Sequence, residues 1–459
     1  MDFINEGEKD LRGLFRRFKK RDFSGNAGQA IKNSSYQFTQ NLIFKIGSLV
    51  FTIIIARLLM PELFGLYSLA LATIVLFSAF SDLGIGSAII AFISEKLGNK
   101  ENGKAKAYFK KLLKWKLWLI FIASGALLAG AYFIAEIYYV KPIFYALLVG
   151  GLYLPLVSLM GFVEQIFKAN NNFKFPLIKE IIFQILRFIV VPLTILLFIN
   201  QGLENKPFIA IILLAISFCY LIALIFFGIF LKKKTKFLQF RKENLTTQEM
   251  KKLKWFIYPL TATALSGVFF GYIDTIMLGR FVSSEFLAYY GVAFGLVGAA
   301  SAIIGFAGAA LFPLFARLHG NSLEKIFKKT RNLVFLISLL AAIFTYFLSY
   351  YIVKIIYGVA YLEAVPLLKY FSILIVLLPL TSLYDAYFIS QKKTKIIAWL
   401  LISTTILNIA LNWTFITYGL RFGMFEAVLG ACFATILSRL VYFGGLIIFK
   451  KRVKVRKVL

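Results

Sequence analysis

Long apolar runs alternate with short polar breaks along nearly the whole chain, at roughly 36–58, 65–92, 117–139, 142–163, 177–199, 207–231, 256–280, 287–315, 332–353, 365–390, 397–418 and 426–449. Each is long enough to cross the ~30 Å hydrocarbon layer of a bilayer as a helix. Lipid offers no partner for backbone N–H and C=O groups, so such runs must bond internally. The expected fold class is therefore all-α, a polytopic membrane protein of about twelve transmembrane helices.

The breaks differ in charge. Every second break is rich in Lys and Arg, with eight between the second and third spans, nine between the sixth and seventh, and six after Phe449. The intervening breaks hold one each: Arg57, Lys141, Lys206, Arg280, Lys354 and Arg421. Positive loops stay in the cytoplasm. Both termini and all long loops are expected there, and an outward catalytic domain is excluded.

The chain also repeats. Arg57, Glu62, Tyr67 and Ala70 have the same mutual spacings as Arg280, Glu285, Tyr290 and Ala293, at an offset of 223 residues, and Gly98-Asn99 then aligns with Gly320-Asn321 after one residue of slippage. Six spans per half is an even number, so the halves would share an orientation and be related by a pseudo-two-fold along the membrane normal. The expected organisation is a basic amphipathic segment at 1–33, a six-helix bundle at 34–231, a basic linker at 232–254, a second six-helix bundle at 255–449 and a basic tail at 450–459. Leu11, Leu14, Phe15 and Phe18 suggest a headgroup-bound helix in the first segment; a disordered basic tail fits equally well.

Composition narrows the function. The 459 residues are 60% hydrophobic, with 52 Lys and Arg against 21 Asp and Glu and a net charge of +31; the mean hydropathy is +0.80. On a soluble protein this charge would suggest nucleic acid. Here it sits in the breaks, where anionic membrane lipids are the natural partner, and no nucleic-acid partner is expected. Cys219 and Cys432 lie within apolar runs, so neither a disulfide nor a metal site is implied. No signal-peptide pattern opens the chain, which makes the first span the expected targeting signal. There is no nucleotide loop, no paired carboxylates in an aqueous loop and no Cys/His cluster. Neither an enzyme nor a cofactor is expected.

Polar residues within the spans are the candidates for chemistry, because a charge facing lipid is costly. Lys45 lies about 14 Å into the first span at ~1.5 Å per residue, with Gln40 and Asn41 one turn earlier. Arg187 has a similar depth in the fifth, with Gln184 one turn before, and Arg439 is near the middle of the twelfth. Together they suggest a cationic, anion-attracting lumen; snorkelling or structural pairing is the bland alternative for each cation. Asp82, opening DLGIG, is either a cation site or a cap on freed amides. Asp274, deep in the seventh span, suits coupling or gating. Asn408 and Asn412, at i and i+4, suit helix packing, and the glycine-rich run at 298–310 suits a close crossing or hinge.

ARLLMPELFGLYSLA and FSDLGIGSAI, then YIDTIMLGRFVSSEFLAYYGVAF, FPLFARL, YLEAVPLLKYFS, DAYFISQKKTKI and LNIALN, resemble the polysaccharide exporters of the multidrug/oligosaccharidyl-lipid/polysaccharide flippase superfamily. The resemblance covers about residues 34–449. It departs at YGLRFGMFEAVLGACFAT, where extra residues replace a short glycine turn. It implies two six-helix bundles around a cationic cavity. It also implies export of a polyprenyl-diphosphate-linked oligosaccharide to the outer leaflet of the cell membrane by alternating access, for cell-surface polysaccharide, with glycan polymerase or glycosyltransferases as partners. Lys45, Arg187 and Asp274 would then contact the head group or control closure; proton or sodium coupling is left open. The competing readings are a multidrug antiporter of organic cations, and a non-transporting component or enzyme of glycan assembly.

Overall fold

A computed structural model of the chain describes residues 25–199, 205–318 and 320–455. The first 24 residues, the heart of the expected amphipathic segment, and His319 lie outside the described residues. Within them the structure is helical, with no strand.

Helix α1 (Gly25–Ala79) carries the first expected span and the first half of the second, the rest of which falls in the helix that begins at Ile85. At Met60 the backbone leaves helical geometry, with φ 59° and ψ 171°, and Pro61 follows. A proline at the start of the second arm costs no hydrogen bond, since that N–H has no helical partner. Helix α2 resumes after Gly84, which takes the left-handed conformation at φ 88°. A Cβ there would stand 2.8 Å from the Leu260 Cβ, so glycine is demanded by backbone and by space. The helix runs through Ile85–Ala88, a π-helical turn at Ile89–Ile93 and Ser94–Gly98. Next come α3 (Asn102–Tyr132, extended by a π-helical Phe133–Tyr139), α4 (Phe144–Ala169), α5 (Lys174–Ile199) and α6 (Asn205–Lys234). The second half holds α7 (Thr247–Phe281), α8 (Ser284–Arg317), α9 (Gly320–Ile356), α10 (Ala364–Phe371), α11 (Leu374–Ser390), α12 (Thr394–Gly419) and α13 (Met424–Val455).

Ten of the described helices are long and apolar enough to cross a membrane, or eleven if α10 and α11, bent by 42°, form one span. Because α1 holds two arms, this accommodates the twelve expected spans. The chain is a multi-pass membrane protein. Its exposed apolar side chains, among them Trp118, Phe121, Phe344 and Phe347, are what a lipid-facing surface requires.

The chain divides into two compact units, one covering Ser35–Leu287 and the other Ala288–Leu459 with the segment before Ser35. In the first, α4 packs on α3 and α6, and α5 on α6, around Phe92, Tyr108, Phe162, Phe167 and Phe227. In the second, α12 packs on α13 and α9 on α10 and α11, around Phe327, Leu383, Tyr384, Phe388 and Tyr442. Asn408 donates from Nδ2 to Ser438 Oγ at 3.1 Å, joining α12 to α13. No close crossing forms at Gly298, where a Cβ would meet nothing within 4 Å, and Gly305 meets only Pro379 and Ser382 at 3.9–4.0 Å.

The boundary falls one helix later than the linker at 232–254, because α7 is fastened to the first unit along its length. Near its C-terminal end Arg280 donates to the carbonyls of Ile137, at 3.0 Å, and of Tyr138, and Lys141 Nζ donates to the Val282 carbonyl at 2.8 Å. Further back, Thr261 Oγ1 donates to the Leu83 carbonyl at 3.0 Å. At its start a Thr246–Glu249 capping box sets the helix off. Glu249 also pairs with Lys104 at 3.2 Å and Lys96 at 3.7 Å, and Lys96 holds Glu101 at 3.1 Å.

Candidate functional site

Helix α5 presents Glu180, Gln184 and Arg187 at i, i+4 and i+7, a spacing that stacks them on one face. In sequence they are isolated polar positions, but in the fold they form a continuous hydrogen-bonded chain. Arg187 Nη2 donates to Gln184 Oε1 at 2.6 Å, and Gln184 Nε2 donates to Glu180 Oε1 at 2.8 Å. Lys179 Nζ reaches Glu180 Oε2 at 2.9 Å and Glu164 Oε2, on α4, at 3.1 Å. Glu164 Oε1 receives Lys168 Nζ at 2.7 Å and Gln40 Nε2, from α1, at 2.7 Å. Three helices are thus tied by one polar network.

The network fits because α1 makes room for it. At Gly47 a Cβ would stand 2.5 to 2.8 Å from the end of the Gln184 side chain, so only glycine lets Gln184 lie flat against that helix. Gln40, Lys179, Glu180 and Gln184 are buried, where charge is tolerated only if paired. Lys168, Lys179 and Arg187 face Glu164 and Glu180, which leaves one positive charge in excess. That excess sits on Arg187. Among the described residues no carboxylate lies within ion-pair distance of its guanidinium, and its buried Nε has no hydrogen-bond partner. Its Cζ lies 4.0 Å from the Phe51 ring centroid and 5.4 Å from that of Phe183, and the hydroxyls of Tyr67, Tyr220 and Tyr153 and, at longer range, the Glu180 carboxylate are close enough to act on its charge. A partly desolvated cation held by aromatic faces is an anion-seeking group.

The other sequence candidates lie elsewhere. Lys45 and Asn41 are exposed and outside the network. Asp82, with a side chain 46% exposed, pairs at 3.0 Å with the buried Lys116, 3% exposed, and accepts the Gly86 N–H at 3.4 Å. Asp274 is buried on α7. Arg439 belongs to the second unit, where its charge couples to Asp385, a carboxylate that also accepts the Tyr442 hydroxyl at 2.8 Å. Sequence reasoning passed over Glu164, Lys168, Lys179 and Glu180. All four flank one short turn between the fourth and fifth spans, and that pairing of two acids with two lysines was the available signal.

No individually curated protein matches the sequence. Similar folds occur among solved structures. An inward-facing multidrug resistance MATE family transporter of the MOP superfamily superposes with a TM-score of 0.68 at 14% identity, covering 90% of this chain and 95% of that one. The lipid II flippase MurJ in an inward closed conformation gives 0.65 at 15% identity, over 89% of this chain and 86% of that one. A eukaryotic MATE transporter gives 0.59 at 11% identity, over 91% and 94%. At these identities the likeness is one of fold. At the level of sequence, the MatE family model matches residues 259–414, and that of the polysaccharide biosynthesis protein family matches 30–319. Since the second match spans well over half of the sequence and contains the whole network on α1, α4 and α5, the chain belongs to the polysaccharide biosynthesis protein family.

Proposed function

We propose that the chain is a flippase that moves a polyprenyl-diphosphate-linked oligosaccharide from the cytoplasmic to the outer leaflet of the cell membrane by alternating access, with both termini in the cytoplasm. The observation that carries this reading is Arg187, which makes no direct ion pair among the described residues and whose Nε has no hydrogen-bond partner. A diphosphate supplies both the charge and the acceptors that this guanidinium lacks. Family membership supports a role in polysaccharide synthesis, and the lipid II flippase offers a precedent for such a cargo on this fold. Direction follows from charge. Moving about two negative charges outward gains roughly 4 to 5 kcal/mol per 100 mV of inside-negative potential, so export can run on the potential with or without an added proton or sodium ion.

A second reading, export of organic cations, draws on Asp274 and Asp385 and on the MatE match over 259–414. Proteoliposomes carrying a labelled polyprenyl-diphosphate oligosaccharide separate the two. Potential-dependent translocation that falls at least tenfold in Arg187→Ala and persists in Arg439→Ala supports the flippase. Efflux of organic cations, sensitive to Asp274→Asn and with no glycan lipid moved, overturns it.

A further inference from the structure

A second cationic site lies far along the sequence from the network, in the Ala288–Leu459 unit. The first turns of α9 and the last turns of α13 enclose a cavity of about 420 Å³. From α9 come Glu324, Lys325, Lys328 and Arg331, at spacings that place them on one side of the helix; Lys450 and Lys451 come from α13. Five cations thus face one acid, and that acid is already engaged. Glu324 Oε2 pairs with Lys450 Nζ at 2.7 Å, and Glu324 Oε1 accepts the Tyr387 hydroxyl at 2.9 Å. Lys450 is pinned further, its Nζ 4.3 Å from the Phe327 ring centroid and 4.8 Å from that of Tyr387. The Lys450–Glu324 pair therefore builds the floor. Among the described residues Lys325, Lys328, Arg331 and Lys451 have no carboxylate within ion-pair distance, and Arg331 spends two of its N–H groups on the side chain of neighbouring Asn332, at 3.3 and 2.9 Å.

The surroundings indicate what fills it. Two residues beyond Arg331 the exposed face of α9 turns apolar, with Leu333, Leu336, Leu340 and Phe344 open to the outside, and on α13 Ile448 and Phe449 do the same just before Lys450. The cavity thus lies where charged surface gives way to lipid-facing surface, at headgroup level. Four unneutralised cations there fit a phosphate whose ester continues into acyl chains along the apolar face.

We propose that this cavity is a binding site for the phosphate headgroup of an anionic phospholipid. Purified full-length protein in phosphatidylcholine nanodiscs, titrated with phosphatidylglycerol and read by native mass spectrometry and by melting temperature, tests it. The wild type should retain phosphatidylglycerol and melt higher with it. Lys328→Gln/Arg331→Gln should bind roughly thirtyfold more weakly, from two lost headgroup charges, while melting as the wild type does in pure phosphatidylcholine. Lys110→Gln/Lys114→Gln, which removes equal charge from the exposed face of α3, should leave retention unchanged. If both double variants lose the lipid equally, the effect is one of net charge and the site does not exist. If inorganic phosphate or glycerol 3-phosphate stabilises the wild type as well as phosphatidylglycerol does, the lipid assignment fails in favour of a soluble phosphate. Should the first variant melt early in phosphatidylcholine alone, Lys325→Gln/Lys451→Gln, both exposed, serves in its place with the same expected loss.

Discussion

Replacing Glu164 with glutamine probes whether the network on α1, α4 and α5 is held together by charge. The carboxylate receives Lys168 at 2.7 Å, Lys179 at 3.1 Å and Gln40 at 2.7 Å. The near-isosteric amide keeps one acceptor but removes one of two negative charges facing three positive ones, so the excess rises from one to two. Breaking a buried pair by deleting one partner costs about 3–5 kcal/mol. Lys179 still has Glu180 at 2.9 Å, which places the expected loss near the lower end, about 3 kcal/mol. At ~2–4 °C per kcal/mol for a unit of this size, melting should fall by about 6–12 °C. The protein carries its own reporter, since Cys219 and Cys432 are free, buried thiols. In a Cys432→Ala background, a thiol-reactive dye reads the opening of the unit that contains both Cys219 and the network. Glu164→Gln/Lys168→Met should recover most of the loss, because it removes both members of one pair while Lys179 keeps Glu180. An unchanged melting curve for Glu164→Gln, or losses that simply add in the double variant, would refute the idea of a coupled, charged network.

Gly47→Leu should push Gln184 off α1 and release Arg187, lowering glycan-lipid flipping at least tenfold in the proteoliposome assay while the protein still reconstitutes. Asp82→Asn strips the buried Lys116 of the carboxylate that pairs with it and should cost on the order of 2–3 kcal/mol, seen as earlier melting and relieved by adding Lys116→Met. Glu101 is held below its usual range, first by the hydrogen bond from Lys96. Its share of the clasp around Glu249 is therefore complete above the ordinary carboxylate range and lost as pH falls through the lowered value. The distance between spin labels at Lys100 and Lys251 should lengthen only in acid, and at a higher pH in Lys96→Ala.

The spans were legible because runs of some twenty apolar residues have few other solutions, and even the break near Met60 is marked by Pro61. Gln40, Gln184 and Arg187 were legible for a related reason, as polar residues set deep in apolar surroundings. Their neighbours on α1 show the limit. Gln40, Gly47 and Phe51 recur at i, i+7 and i+11 and share a face, whereas Asn41 and Lys45, i+1 and i+5, point about 100° and 140° away from it. Depth alone could not separate the two sets. Glu164 and Lys179 were hidden differently: lysines near span ends read as markers of sidedness, and the acids that neutralise them were not weighed. The Asp82–Lys116 pair joins residues 34 positions apart, and no periodicity reveals such a link.

The attachment of α7 separates two kinds of boundary that are usually taken as one. The expected seam is the linker at 232–254, but the structural join falls at Leu287, so α7, the first helix expected of the second bundle, packs with the first, much as an element does in a domain swap. A chain severed within the linker would strip the first bundle of a helix it holds at both ends. One severed at Ser283, between α7 and α8, would leave α7 with the bundle that holds it, and co-expressed fragments cut there should reassemble where those cut in the linker do not.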